Sequence, residues 1–167
     1  YALAVRRRDH YNGADASSSE NKHESDIWKA IWNLKVTNKI KMFMWRLAHN
    51  SHPVRVNVIR KGVNIEIICP MCAHLDEDCG HLFFKCKRVK SVWRSLCLED
   101  TRILLASKTS ALEVIEAILS LSEEKKIKVV LLLWCWWSAR NKANQGEKCS
   151  STEEICNSVT YHLMSME

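Results

Sequence analysis

Four residues near the middle of the chain have the types and the spacing of a zinc site. Cys69 and Cys72 form a Cys-x-x-Cys pair, His81 follows after eight intervening residues, and Cys86 follows after four more. Thiolate sulfur and imidazole nitrogen are donors that zinc prefers, and four of them complete its tetrahedron. Because such a set leaves no position open for water, the sequence predicts one structural Zn2+ and no catalytic metal.

Two further side chains in this segment are alternative ligands. Cys79 could act in place of His81 and give a four-cysteine site, and His74 also lies within reach along the chain. A redox-active Cys-x-x-Cys pair is a competing interpretation, but it is typical of a thioredoxin-like strand-to-helix turn and would leave His81 and Cys86 unexplained. The zinc interpretation accounts for all four residues.

The remaining cysteines and the apolar segments bear on the cellular compartment. Residues 1–8 place apolar residues before basic ones, the reverse of a secretory signal, so we expect an intracellular, reducing environment in the nucleus or cytoplasm. The longest apolar run, residues 129–137, has nine residues and is too short to span a bilayer. The cysteines that lack a short-range partner are expected to pack in the core: Cys97, Cys135, Cys149 and Cys156.

The elements around the zinc motif are predicted to be helices. With Gly 4 and Pro 2 in 167 residues, the chain has few turn formers. Apolar residues recur with helical spacing at 40–47, 89–96, 112–119 and 155–166, a short helix at 54–61 ends before Gly62, and 123–142 is the central helix. The polar, serine-containing residues 9–26 are predicted to form a mobile loop. The fold class is therefore mainly α, a compact helical domain with one structural zinc loop.

This pattern divides the chain into three parts. Residues 1–26 are predicted to be an N-terminal helix and a mobile polar loop, residues 27–100 the zinc-binding module, and residues 101–167 a C-terminal helical segment that packs on it.

Charge is distributed unevenly, and the basic residues form a candidate binding surface. Residues 27–65 contain no Asp or Glu, although the net charge of the whole chain is only +6. A field of one sign attracts polyanions, and interleaved aromatic residues can stack on bases. Alternatively, these cations are solvated helix faces. For Phe43, Trp45 and Trp93 we favour a place in the core over a stacking role. The candidate nucleic-acid or partner-binding residues are Lys35, Lys39, Lys41, Arg46, Arg55, Arg60, Lys61, Lys87 and Arg88.

Several segments together resemble the zinc-binding domain that follows reverse transcriptase in plant LINE-type (non-LTR) retrotransposons. They are residues 28–36, 39–47, 60–62, 69–72, 81–86 and 92–93, with Pro53 and Glu77 between them. Residues 136–142 resemble the segment that joins this domain to a ribonuclease H-like domain in the same family. The chain departs from the family pattern at Thr37-Asn38, where a proline is common. It contains neither the Asp-Asp pair of a polymerase nor the carboxylates of ribonuclease H, so the resemblance implies neither activity.

No enzyme motif is found in the sequence. A nucleophile elbow, a phosphate-binding loop and an HExxH helix all have recognisable spacings that are absent here. Asp76, Glu77 and Asp78 are expected to be solvated in the zinc loop. We therefore expect a non-catalytic module, without a small-molecule substrate or a membrane, that binds RNA or DNA through its basic half. The alternative is a domesticated protein-binding module that inhibits, stabilises or redirects a partner through its terminal or Trp-rich helix.

Overall fold

The computed structural model describes residues 16–166, whose regular elements are all helical. They are α1 (Ala16–Trp32), α2 (Asn38–Ala48), α3 (Arg55–Arg60), a π-helix (His81–Lys85), α4 (Lys87–Ser95), α5 (Glu99–Ala106), α6 (Ala111–Leu119), α7 (Glu123–Asn144) and α8 (Thr152–Met164). Within these residues the extended backbone forms only an isolated antiparallel bridge between Ile68 and Asp76. The predicted mainly-α fold with one zinc loop is confirmed.

The central helix α7 is buried on nearly all sides, as its sequence predicts. Its residues 129–133 are all inaccessible to solvent, and α2, α4, α6 and α8 pack around it. A helix that is apolar all round must be enclosed by other elements. The zinc loop lies against the C-terminal half of α7, where Trp136 and Arg140 donate hydrogen bonds to Leu82 and Glu77.

The amphipathic helix α2 also follows its sequence pattern. Ile40, Phe43, Met44 and Leu47 are buried on one face. The short helix α3 ends before Gly62, whose φ of 88° lies in the left-handed region where a side chain would be strained.

The prediction of a mobile loop at residues 9–26 is wrong for the described part of that segment. From Ala16 onward the chain is helical and continues into the apolar end of α1. Ile27 and Ile31 lie one turn apart and are buried where α1 packs on α2 and α6. These buried residues hold the C-terminal end of α1 in place, and the helix continues from there towards the N-terminus. The polar residues are therefore helical although they show no helical spacing of apolar residues. The rest of the predicted loop and the predicted N-terminal helix lie outside the described residues.

Helix α5 was not predicted, because its buried face is largely polar. Thr101 and Arg102 are buried together with Leu105, so the helical spacing of apolar residues is interrupted. Arg102 has partners that make its burial favourable: its guanidinium donates two hydrogen bonds to the carboxylate of Glu99, both at 2.8 Å.

The three aromatic residues that were expected in the core differ in their burial. Phe43 and Trp93 are buried, whereas Trp45 is only half-buried and packs with Trp28 against His49. The Trp28 and His49 rings are parallel, with their centres 4.4 Å apart. The expectation that Trp45 is core is therefore corrected: it belongs to a surface aromatic cluster formed by α1 and α2.

The cysteines outside the zinc motif also differ from one another. Cys135 is buried and Cys149 and Cys156 are half-buried, but Cys97 is exposed. Cys97 follows the end of α4 with a φ of 57°, a turn conformation that carries its side chain out of the core. The packing prediction is wrong for Cys97.

As for membranes, none of the described helices combines the length and the hydropathy that a crossing requires.

Candidate metal centre

The structure brings the side chains of Cys69, Cys72, His81 and Cys86 together. One donor atom from each lies within 4.8 Å of all the others, and all four residues are buried. The Sγ of Cys72 is 3.4 Å from Nε2 of His81. Tetrahedral zinc, with Zn–S of ~2.3 Å and Zn–N of ~2.0 Å, requires a separation of about 3.5 Å between such a pair. The buried cluster therefore fits one structural Zn2+, with no position left for water.

The first two cysteines are positioned by a tight turn. The amide of Ala73 donates to the carbonyl of Cys69 at 2.8 Å, and the amide of Cys69 donates to the carbonyl of Leu75 at 2.8 Å. Ala73 has a φ of 55°, the left-handed conformation that reverses the chain. Since the backbone closes on itself here, both cysteine side chains are directed into the same buried space.

The other two donors are positioned by the π-helix His81–Lys85. Residues five apart lie about 140° from each other around an α-helix, which would separate His81 from Cys86. In a π-turn, the amide of Cys86 instead donates to the carbonyl of His81, here at 2.7 Å. The wider turn places both residues on one face. It therefore explains how two ligands separated by four residues can bind the same ion.

Both alternative ligands lie outside the cluster. Cys79 is half-buried, and desolvation raises the pKa of its thiol to about 12, which favours the protonated form. His74 is exposed, and its Nδ1 donates to the carbonyl of Cys72. Neither residue contributes a donor atom to the buried group.

The sulfur atoms of the cluster lie close enough to share a thiol proton, and a bound zinc ion would displace such protons. The thiol of Cys69 hydrogen-bonds to the sulfur of Cys86, which raises the pKa of Cys69 and lowers that of Cys86. Burial lowers the pKa of His81, which favours the neutral imidazole, the form that binds metal. The donor set is thus suited to a divalent cation that displaces thiol protons.

Three side chains from three helices fix the position of the π-helix. Leu82, Phe83 and Phe84 have carbonyl groups that a single helical turn leaves without partners. Trp136 of α7 donates to Leu82 at 2.8 Å, and Trp93 of α4 donates to Phe83 at 2.9 Å. Arg102 of α5 donates to the carbonyl of Phe84 at 2.7 Å. These contacts explain why two tryptophans and one arginine are buried beside the zinc loop.

Glu77 is the main correction to the sequence prediction for this loop. Asp76 and Asp78 are exposed as expected, but Glu77 is fully buried. Its carboxylate accepts hydrogen bonds from Nε and Nη2 of Arg140, at 2.7 and 2.5 Å, and from the amide of Arg55 at 2.8 Å. The guanidinium of Arg140 also lies over the ring of Trp137, 5.1 Å from its centre. Glu77 therefore joins the zinc loop to α3 and α7.

A sequence signal for this ion pair exists. Arg140 follows a run of apolar and tryptophan residues in a helix that must be enclosed, and a buried cation needs a carboxylate partner. What the sequence does not indicate is which of three consecutive acidic residues, Asp76, Glu77 or Asp78, supplies that carboxylate.

The candidate basic residues fall into two groups. Lys41, Arg55 and Arg88 are half-buried and make contacts within the protein: Lys41 with the carbonyl of Trp32, Arg55 with Glu66 and Asn144, and Arg88 with Cys149 and Ser150. The others are exposed, and no carboxylate of residues 22–166 lies within 4 Å of their charged atoms. They are Lys35, Lys39, Arg46, Arg60, Lys61 and Lys87.

The fold and the site define a helical zinc-binding domain with a closed Cys3His centre. Comparison with protein families gives a match over residues 11–93 to the family described as zinc-binding in reverse transcriptase. Residues 11–93 are therefore similar to an accessory zinc-binding domain of reverse transcriptases, and not to the catalytic domain of the polymerase. Neither the curated proteins nor the solved structures give a significant match to the chain.

Proposed function

We propose that this chain is a non-catalytic module of LINE-type plant retrotransposon origin that binds RNA or DNA through its basic half. Cys69, Cys72, His81 and Cys86 are the proposed ligands of its zinc ion, which acts as a scaffold. The proposed location is a reducing compartment, nucleus or cytoplasm, because zinc binding requires the three cysteines as thiolates. The family match and the buried donor cluster support the zinc-binding part of this proposal.

The observation that carries the nucleic-acid proposal is the set of six exposed cations that have no acidic partner among residues 22–166. Lys35, Lys39 and Arg46 lie on or beside α2, Arg60 and Lys61 end α3, and Lys87 begins α4. Solvated basic residues commonly pair with nearby carboxylates, but here residues 27–65 contain none. Phosphate groups would supply the missing negative charge, with release of counterions.

A salt titration of binding tests the proposal. Affinity for a single-stranded oligonucleotide and for a duplex should fall linearly with the logarithm of salt concentration. The triple variant Lys39→Gln, Arg46→Gln, Arg60→Gln should bind more weakly and have a shallower slope, by about 0.7 to 0.9 for each phosphate that is no longer neutralised.

A variant of equal charge provides the control. Lys22, Lys125 and Lys148 are exposed and lie outside the six-cation set, so their replacement by Gln changes the net charge equally. If the two triple variants behave alike, the basic half is not the binding surface. If the unaltered protein binds neither RNA nor DNA at low salt, the nucleic-acid proposal is wrong.

The alternative is a domesticated protein-binding module, and one observation favours it. Tyr161 and Met164 on α8 are 70% and 69% exposed, more than any other large apolar side chains in the described part of the chain. Exposed aromatic and methionine side chains are enriched at protein interfaces. Recovery of one stoichiometric partner that resists nuclease treatment and is lost in Tyr161→Ser would support this alternative.

A further inference from the structure

A pocket between α2 and α7 has no role in zinc binding. Its volume is about 460 Å3, within the ~300–1,000 Å3 range of small-ligand sites. Its wall is largely aromatic, formed by Phe43, His52, Trp134 and Trp137, with Met42 at one side. It is thus an open surface groove of suitable size that zinc binding does not explain.

The aromatic side chains of the pocket hold one another in place. The Phe43 and Trp134 rings meet edge to face, with centres 5.7 Å apart, and His52 and Trp137 lie 4.7 Å apart. Nε2 of His52 donates to the carbonyl of Phe43 at 3.0 Å, which fixes the imidazole. In contrast to Trp136, which is 1% exposed, Trp134 is only half-buried. Phe43, His52 and Trp137 are buried beneath it, so Trp134 is the aromatic side chain that remains accessible to a flat ligand, on a support that the buried rings hold in place.

Two cations at the rim indicate the charge of that ligand. Lys39 and Arg46 both line the pocket and are exposed. No carboxylate of residues 22–166 lies within 4 Å of the charged atoms of either. A half-exposed Trp134 ring, with two cations at the edge that have no acidic partner among residues 22–166, suits a flat, uncharged ring that is covalently attached to phosphate.

We propose that this pocket receives one unstacked base of a single-stranded nucleic acid, with Lys39 and Arg46 holding the phosphates on either side of it. The proposal rests on the nucleic-acid function above and adds to it a preference for single strands. Bases in a duplex are stacked on their neighbours, whereas single-strand-binding proteins use aromatic side chains to take up unstacked bases. Stacking is tolerant of sequence, so no base identity is specified.

The test compares two DNA probes with the same number of phosphates, using the zinc-loaded full chain. One is a ten-nucleotide oligothymidine, and the other is its abasic counterpart. The oligothymidine should bind at least about fivefold more tightly, the lower end of what one base stacked on an aromatic side chain contributes. Replacing the exposed Met42 by Ala or the half-buried Trp134 by Leu should reduce this ratio towards one.

A matched variant separates the pocket from other aromatic surfaces. Trp32 is 43% exposed and does not line the pocket, so Trp32→Leu should leave the ratio unchanged. Met42→Ala keeps the test decisive if Trp134→Leu is poorly folded. A ratio that persists in Met42→Ala, or that falls equally in Trp32→Leu, would overturn the pocket proposal.

The remaining outcomes distinguish this inference from the function on which it rests. Equal, salt-dependent binding of both probes would overturn the pocket proposal and leave the nucleic-acid function standing. Absence of binding to either probe at low salt would overturn both. Acrylamide quenching of tryptophan fluorescence, measured without nucleic acid, reports whether Trp134 is accessible. If the unaltered protein is quenched no more than Trp134→Leu, Trp134 is covered by another part of the protein and the proposal is wrong.

Discussion

The zinc loop and helix α8 are both held against α7, but by different interactions. The loop is joined to α7 by the Glu77–Arg140 ion pair and by the hydrogen bond from Trp136 to Leu82. Helix α8 buries Ile155 and Val159, and among the described residues no side-chain hydrogen bond or ion pair connects it to α7. The zinc loop is therefore held by directional polar contacts, whereas α8 is held by the burial of apolar surface.

This difference predicts different sensitivity to change. Directional contacts in a buried site fail when one atom is removed, because the remaining partner is left buried without compensation. Apolar packing loses free energy roughly in proportion to the area that becomes exposed. We therefore expect single substitutions at the zinc loop to be much more damaging than those at α8, and the following measurements test that order.

The largest effect should come from the metal centre itself. The purified protein should contain one zinc per chain, and Cys69→Ser should reduce this and lower the melting temperature, because a site with three donors binds zinc weakly. In zinc-finger peptides the metal contributes on the order of 10–16 kcal/mol. The effect here should be smaller, since most of the buried apolar residues that stabilise the fold are not zinc ligands.

Elemental analysis and thermal unfolding, with and without a chelator, check this prediction. Cys97→Ser is the control, because Cys97 is exposed and lies outside the cluster. Substantially less than one zinc per chain in the unaltered protein, together with no effect of Cys69→Ser, would contradict the assigned site.

The next largest effect should come from Glu77→Gln. Removing one partner of a buried ion pair leaves the other charge uncompensated and destabilises by about 3–5 kcal/mol. Urea unfolding should show this loss, whereas Asp76→Asn in the same loop should change stability by less than about 0.5 kcal/mol, because Asp76 is exposed. Equal losses of stability in the two variants would mean that the Glu77–Arg140 ion pair does not contribute specifically to holding the zinc loop.

The pH dependence of stability measures the cost of protonating His52, a polar side chain that is buried beside α7. Burial lowers its pKa from the usual 6.5 to about 4, so the imidazole is neutral in the folded protein at pH 7. Between those values the unfolded chain binds more protons, and stability therefore falls as the pH is lowered from 6.5 to 4. The shift corresponds to roughly 3 kcal/mol in total.

Denaturation curves across that pH window, compared with His52→Gln, measure this contribution. The variant should lose part of the pH dependence, while the acid sensitivity that arises from zinc release remains in both proteins. If the two proteins lose stability in parallel as the pH falls, His52 is protonated without cost and the assigned burial is wrong.

The smallest effect is expected at the start of α8. The hydroxyl of Ser151 accepts from the amide of Glu154 at 3.1 Å, and the Glu154 side chain accepts from the amide of Ser151 at 2.7 Å, a capping box. Ser151→Ala should cost about 1 kcal/mol. Ser165→Ala at the other end of the helix should have little effect, and a larger loss there than at Ser151 would contradict the cap assignment.

The same division explains what could be predicted from the sequence. Apolar periodicity identified α2, α4, α6, α7 and α8, and donor type with spacing identified all four residues of the metal cluster. The features that the sequence did not predict depend on polar contacts between residues. The buried face of α5 requires Glu99 and the carbonyl of Phe84 as partners of Arg102. The burial of Glu77 requires Arg140. Periodicity describes one helix at a time and contains no information on such pairs.

The contacts of the zinc loop also set a lower limit on the autonomous folding unit. The family match ends at residue 93, yet Arg102, Trp136 and Arg140 lie beyond it and supply partners to Phe84, Leu82 and Glu77. A fragment truncated at that boundary would keep every zinc ligand and lose these three donors. We therefore expect the zinc loop and α7 to unfold together, because an expression boundary placed before residue 144 would remove part of the helix that contacts the metal site.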